Sequence, residues 1–350
     1  MIFKCDRTVR MFVFVFIFLS LFLWCLSSSF ALDEQITDKY PVEEPSSPQE
    51  ERTREPGYQP DRRVNITGFA GILQGYDNNV DLDSERHNDG FNQGIANVDV
   101  TYEQTKDLKL KAGVDVFELI YYKYNIDNLS DISPYTGVDL ELTPGLVSRN
   151  RFAFDYFSYP NRKESTFAGI TLSSYLRHFI LEDIYHELGY EYLYRWYPDR
   201  KITLGSLETG DDDRVDGRHK TKYNIGVYST RLFVKLSNEI SWNDSNNGYQ
   251  NYYDYWLYRV KPSVMFFFTD RFYTDVSFVY KYTHYNDRRS TENSTRVVRD
   301  HTYMANTSFY YDISRNVTFG LTYSYSENQS NDPFQKYSGS ILSGGIYYSF

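Results

Sequence analysis

The side chains with the widest chemical reach in this chain are its six histidines. His284 and His301 flank a polar stretch that holds Asp287, with Asp300 next to the second histidine, and a His held against an Asp can activate water for hydrolysis. The segments around them match no hydrolase signature, and such a pair in a polar loop is ordinarily just hydrated. The residues around His178 and His186 do not resemble the serine, histidine and orienting group of a lipase. Asp77, Asn79, Asp81 and Asp83 alternate like the oxygen donors of a calcium loop. Leu82 stands where that loop turns on Gly and Asn88 where it closes on Glu, which excludes an EF-hand. Thr209-Gly210-Asp211-Asp212-Asp213 reads as a hydrated acidic loop. With no phosphate-cradling Gly loop, zinc set or dinucleotide fingerprint, the expectation is a protein with no catalytic residues, no cofactor and no metal site, hence not an enzyme.

The elements that would have to position any such group are announced by the aromatic content. The 350 residues include 35 Tyr and 25 Phe, yet the mean hydropathy is −0.57. Abundant Tyr with a polar average fits strands that show lipid on one face and water on the other, and it excludes a disordered chain. A net charge of −10 argues against a nucleic-acid partner.

Lys4, Arg7 and Arg10 precede an apolar run from Met11 to Leu26, which ends in Ser27-Ser28-Ser29-Phe30-Ala31, the layout of a secretory signal cleaved after Ala31. An uncleaved anchor helix is the alternative for residues 1–31. Both cysteines, Cys5 and Cys25, fall in this segment, so the mature chain would have no thiol chemistry. Residues 32–63 interleave Pro41, Pro45, Pro48, Pro56 and Pro60 with Glu43, Glu44, Glu50, Glu51 and Glu55, which reads as a disordered periplasmic linker.

From Val64 onward apolar and polar residues alternate, most clearly in Leu108, Leu110, Ala112, Val114 and Val116 against Lys109, Lys111, Gly113 and Asp115. Fourteen such segments are expected, at about 64–77, 94–104, 108–124, 135–147, 151–159, 166–177, 184–197, 219–229, 232–243, 252–268, 272–284, 300–311, 317–326 and 337–350. Short connections, near Lys106, Asn150, Glu182, Thr230, Asp270 and Ser314, alternate with long ones. An even strand count with that alternation predicts an all-β fold: a transmembrane, antiparallel, up-and-down β-barrel over 64–350 with periplasmic termini, set in the bacterial outer membrane among lipid and lipopolysaccharide.

If the apolar faces meet lipid, parity turns Asp99, Glu103, Lys109, Lys111, Asp115, Asp139, Glu141, Glu191, Arg195, Lys235, Glu239, Arg259, Lys261, Asp275 and Lys281 toward the lumen, along with Asp155, Glu187 and Lys222. A tight connection after Glu103 would set it opposite Lys109. Tyr121, Phe157, Tyr175, Tyr185, Tyr228, Tyr255 and Tyr273 also turn inward, either as sugar-stacking platforms or as filler. The last segment places Leu342, Gly344, Ile346, Tyr348 and the terminal Phe350 on one face, the form of the signal read by the barrel assembly machinery.

The first strand from Gly68 to Val80, Leu176-Arg177-His178, Leu188-Gly189-Tyr190-Glu191-Tyr192 and the aromatic end resemble the outer-membrane β-barrel porins associated with exopolysaccharide biosynthesis and export. The resemblance spans about 64–350. It implies a channel with polysaccharide as cargo and periplasmic export components as partners, and it supplies no catalytic residue. A general solute porin and a structural or adhesin-like barrel are the other expectations.

Overall fold

The computed structural model describes residues 64–82, 86–204, 209–249 and 252–350; the expected signal segment and linker lie outside the described residues. Fourteen strands follow one another: β1 (Val64–Asp77), β2 (Asp89–Thr105), β3 (Leu108–Tyr121), β4 (Leu129–Thr143), β5 (Leu146–Ser158), β6 (Phe167–Leu181), β7 (Ile184–Thr203), β8 (Thr209–Tyr228), β9 (Leu232–Ser245), β10 (Tyr255–Phe267), β11 (Phe272–Arg289), β12 (Val297–Asp312), β13 (Val317–Ser330) and β14 (Tyr337–Ser349). Each pairs antiparallel with the next, and β14 closes on β1, so no sheet edge is left open. At the seam Gly68 and Phe350 exchange backbone hydrogen bonds of 3.1 and 3.0 Å.

The start of β1 and the end of β14 share one rim with six short turns, the periplasmic rim of such a barrel. The turn between β4 and β5 is Pro144-Gly145, several residues before the position near Asn150 expected from sequence. Gly145 has φ 82°, a left-handed conformation that a β-carbon disfavours, and Pro144 has no N–H for the ladder. The run Leu146 to Arg151 therefore belongs to β5, and the charged Ser148-Arg149-Asn150-Arg151 is wall, not turn.

The other difference lies at the opposite rim, where strands run further than alternation indicated. β7 and β8 have 20 residues each, reaching Thr203 and starting at Thr209, where a long loop was expected over 198–218. These extensions lack an apolar face because they stand beyond the lipid, so hydrophobic periodicity could not reveal them. Backbone pairing and polar ties hold them: Lys201 Nζ lies 2.7 Å from Asp213 Oδ1, and Trp196 Nε1 donates to Asp213 Oδ2 at 3.0 Å.

Ile72, Leu110, Val116, Phe152, Leu172, Leu188, Ile240, Val276 and Leu321 are exposed, and they share the outward parity of their strands. A closed ladder with an apolar exterior is stable in hydrocarbon, where every backbone polar group must be paired internally. Core-like packing lies inside, in two clusters. One joins Phe91, Phe117, Leu119, Tyr121 and Leu129 with Val80 and Tyr159 from the loops; the other joins Tyr255, Leu257, Tyr285 and Val298 with Tyr253.

Candidate functional site in the barrel interior

The residues between the exposed apolar ones face the interior, and their chemistry is set by cross-strand register. The β2–β3 register puts Glu103 beside Lys109, with Nζ to Oε1 2.6 Å, and Thr101 beside Lys111. Lys111 reaches Asp139 on β4 at 3.1 Å. Asp115 accepts from Asn97 Nδ2 at 2.7 Å and from Arg151 at 2.8 Å, while the Arg151 guanidinium lies 3.7 Å from the Tyr135 ring centre. Glu191 on β7 holds Lys220 at 2.7 Å and Lys222 at 3.1 Å on β8, and accepts from the Tyr175 hydroxyl at 3.0 Å.

The other sequence-selected positions are placed by pairing. Arg259 stands between Glu239 and Lys281; Lys235 is opposite Gly226 and Ser263; Lys261 is opposite Ser237; Asp275 is opposite Ser308; Asp99 is opposite Gly113 and Thr67. Arg195 is buried with its guanidinium 4.7 Å from the Phe167 ring centre. Glu141 sits apart at the periplasmic rim, exposed, accepting from the Gly145 N–H at 3.3 Å.

Several members of this wall were missed in the sequence. Arg151 was hidden by the misplaced turn, and Arg214, Asp216 and Arg218 by reading the start of β8 as loop. Arg214 and Asp216 form a fully buried ion pair, with Ser245 Oγ donating to Asp216 at 2.7 Å and the Arg214 guanidinium over the Tyr253 ring at 3.7 Å. Lys220 and Arg177, the latter 2.8 Å from Glu187, share the parity of residues that were selected, so the same signal could have found them.

Accessibility varies along the interior, and near the periplasmic turns Tyr185, Glu187, Asn224 and Tyr273 are buried. Lys109, Lys111, Asp115, Asp139, Lys235, Arg259, Lys261 and Asp275, toward the periplasm or mid-barrel, are part-exposed. Toward the extracellular rim Glu239, Ser241, Asn243, Thr283, Asp300, Thr302 and Asn328 are buried. Inward aromatics at both ends of the barrel are largely filler. The Tyr185 and Tyr175 rings lie against Gly226 and Gly189 on the neighbouring strands, so close that an added β-carbon would come within 2.1 and 2.2 Å of them. Tyr121 donates to Asp77 at 2.8 Å. In the loop before β10, Asp254 has its carboxyl pushed up to about 7 by burial and by Asp244, Asp216 and Asp287, against a Ser245 N–H that favours the ion.

His284 and His301 do not meet Asp300, the acid that water activation would require; the histidine that does meet a carboxylate is His87 in the first long loop, its Nδ1 2.6 Å from Asp81 Oδ2. His284 and His301 lie on the outer face, His301 with the Tyr282 ring at 4.9 Å and His284 with Trp256 at 5.8 Å, whereas Asp300 is buried on the inner face. His178 and His186 pair on the outer face near the periplasmic rim, Nδ1 to Nε2 3.1 Å. Among the described residues no group of three or more His, Cys, Asp or Glu is placed to hold a metal ion. Leu342, Ile346, Tyr348 and Phe350 are exposed together on the outer face.

A closed up-and-down barrel with an apolar exterior, a charged interior, short turns at one rim and long loops at the other is the fold of an outer-membrane β-barrel. No protein-family model and no curated protein matches the chain. Among solved structures it is similar to OmpT, an outer membrane protein of Vibrio cholerae (9% identity, 82% of this chain and 97% of that one, TM-score 0.48). It is also similar to the outer membrane channel DcaP of Acinetobacter baumannii (10% identity, 82% and 97%, TM-score 0.48). A third is an anion-selective porin from Comamonas acidovorans (8% identity, 82% and 99%, TM-score 0.47).

Proposed function

We propose that the barrel is an outer-membrane channel that takes part in exporting a polysaccharide. The observation that carries this reading is the part-exposed, two-signed wall of the periplasmic half, lined by Lys109, Lys111, Asp115, Asp139, Lys235, Arg259, Lys261 and Asp275. Hydroxyl-rich chains exchange water for such groups with little net change in hydrogen bonding. Pairs such as Glu103–Lys109 and Lys111–Asp139 keep the surface polar without a single-signed trap along the path. In this reading the 32–63 segment meets periplasmic export components, and Leu342, Ile346, Tyr348 and Phe350 are read by the assembly machinery.

A structural barrel without an open pore is favoured by a different observation, the packed clusters that fill the extracellular end. Single-channel recording in planar bilayers separates the two. Conductance from the purified protein, or from a variant with loop 78–88 shortened, supports a channel; no conductance from either sinks it. A deletion strain that secretes normal polysaccharide but loses small-solute uptake would make the protein a general porin.

A further inference from the structure

Inside the extracellular rim a polar cavity of about 250 Å³ is walled by side chains from the strands and from two loops. Tyr252, Tyr253, Tyr255, Tyr285 and Tyr337 give it aromatic faces and hydroxyls, and Thr283, Thr302, Asn328 and Gln335 add neutral hydrogen-bonding groups. Its charged groups are Arg200, Lys281 and Arg288 against one carboxylate, Asp300, an excess of positive charge. Arg288 is the distinctive member. Its side chain is 8% exposed, and its guanidinium lies between two rings, 4.3 Å from the Tyr252 centre and 4.8 Å from that of Tyr285. Among the described residues it donates no hydrogen bond and forms no close ion pair, and Asp300 and Asp332 act on it only from further away. A guanidinium carries five donors and is costly to bury without acceptors; two rings pack against this one, and Arg288 lines the cavity.

We propose that this cavity binds one acidic sugar unit, its carboxylate taken by Arg288 and its ring and hydroxyls by the surrounding tyrosines, threonines and amides. The planar fork of guanidinium matches a carboxylate with two parallel hydrogen bonds, which selects for that group over a neutral hydroxymethyl. The volume lies just below the ~300–1,000 Å³ of sites for drug-sized ligands, which suits a monosaccharide unit and not a longer stretch of chain. Arg200, which reaches the Tyr253 hydroxyl, and Lys281 supply a further favourable field, and the aromatic faces suit the apolar side of a pyranose. The proposal narrows the cargo class of the channel reading and takes its biological meaning from that reading, but the binding itself needs no open pore.

The test is equilibrium binding of glucuronate, glucose and inorganic phosphate to the full-length barrel in detergent, with conductance recorded separately so that a failed channel and a failed site are told apart. Glucuronate binding at least tenfold tighter than either competitor, and weakened at least tenfold in Arg288→Gln, is the expected result. Equal binding of glucose and glucuronate, binding of phosphate as tight as glucuronate, or no binding of glucuronate by the natural chain overturns it. If Arg288→Gln does not fold, Tyr252→Ala and Arg200→Gln at the loop side of the cavity serve instead, each expected to weaken glucuronate at least threefold; unchanged binding in both refutes the site.

Discussion

Replacing Glu191 by Gln tests whether the interior charges are a coupled network. The carboxylate bridges Lys220 at 2.7 Å and Lys222 at 3.1 Å, with the Glu191 and Lys220 side chains 13% and 14% exposed and that of Lys222 27%. At an effective dielectric of about 20, each contact has a gross Coulomb attraction of roughly 5–6 kcal/mol, most of it offset by desolvation. Gln removes the attraction but leaves two ammonium groups side by side on one face of β8, so the cost approaches that of an uncompensated buried charge, about 3–5 kcal/mol. Residual exposure places the expectation at the lower end, about 3 kcal/mol. Denaturant unfolding in detergent or liposomes reads this directly. Adding Lys222→Met to Glu191→Gln relieves the repulsion and should recover part of the loss, a non-additivity that marks the contact as real. A loss below about 1 kcal/mol, or a strictly additive double variant, would show that these ions are solvated independently.

Three other outcomes follow from particular contacts. Gly226→Ala drives a methyl into the Tyr185 ring and is expected to destabilise the barrel by about 1–3 kcal/mol, the range for overpacking; the effect should largely vanish in a Tyr185→Ala background, measured by denaturant midpoint. Gly145→Val forces a β-branched residue to φ 82° in a two-residue turn and should cost about 1–2 kcal/mol, with Gly145→Asn milder; folding yield in detergent checks the order. The Asp254 carboxyl, at about 7 in the folded chain against an ordinary value near 4 unfolded, favours the folded state while protonated. Its contribution is complete below about pH 4 and is lost as pH rises through about 7, so proteolysis of the 246–254 loop should increase over that window. Asp254→Asn should flatten the profile, and a natural chain equally resistant from pH 4 to 8 would contradict the burial argument.

How much of this was legible in the sequence depended on whether a face met lipid. Strands such as β3, with Leu110 and Val116 outward and Lys109 and Lys111 inward, carry a strong period-two signal because their two faces touch different media. The extension of β7 and β8 beyond the lipid has no apolar outer face, and its buried inner face is polar, so it carries no such signal, which is why Arg214 and Asp216 went unseen. The β4–β5 turn was misplaced because Ser148-Arg149-Asn150-Arg151 has the polarity of a loop, while the deciding feature, Gly145 at positive φ, is conformational. The cavity around Arg288 was beyond reach for another reason: Arg288 follows a register shift in β11 and Tyr252 comes in from a loop, and no sequence spacing encodes either.

The loop-built clusters of the extracellular end follow from loop length. Turns of two residues, such as Lys106-Asp107 and Glu182-Asp183, have no side chains to spare for the interior. The longer connections do: Val80, Tyr159 and Tyr253 fold inward and complete the two clusters. The first of these loops is anchored by Asn78 Nδ2 donating to Ser340 Oγ at 2.9 Å and Asn79 Nδ2 donating to the Ser338 carbonyl at 3.0 Å. In the channel reading, access through the mouth is set by the loops and ion preference by the wall. Charge changes at Lys111 or Arg259 should shift the reversal potential of an open pore while leaving its frequency of opening unchanged. Truncating 78–88 should do the reverse, and a truncation that alters selectivity as strongly as the wall variants would refute the division.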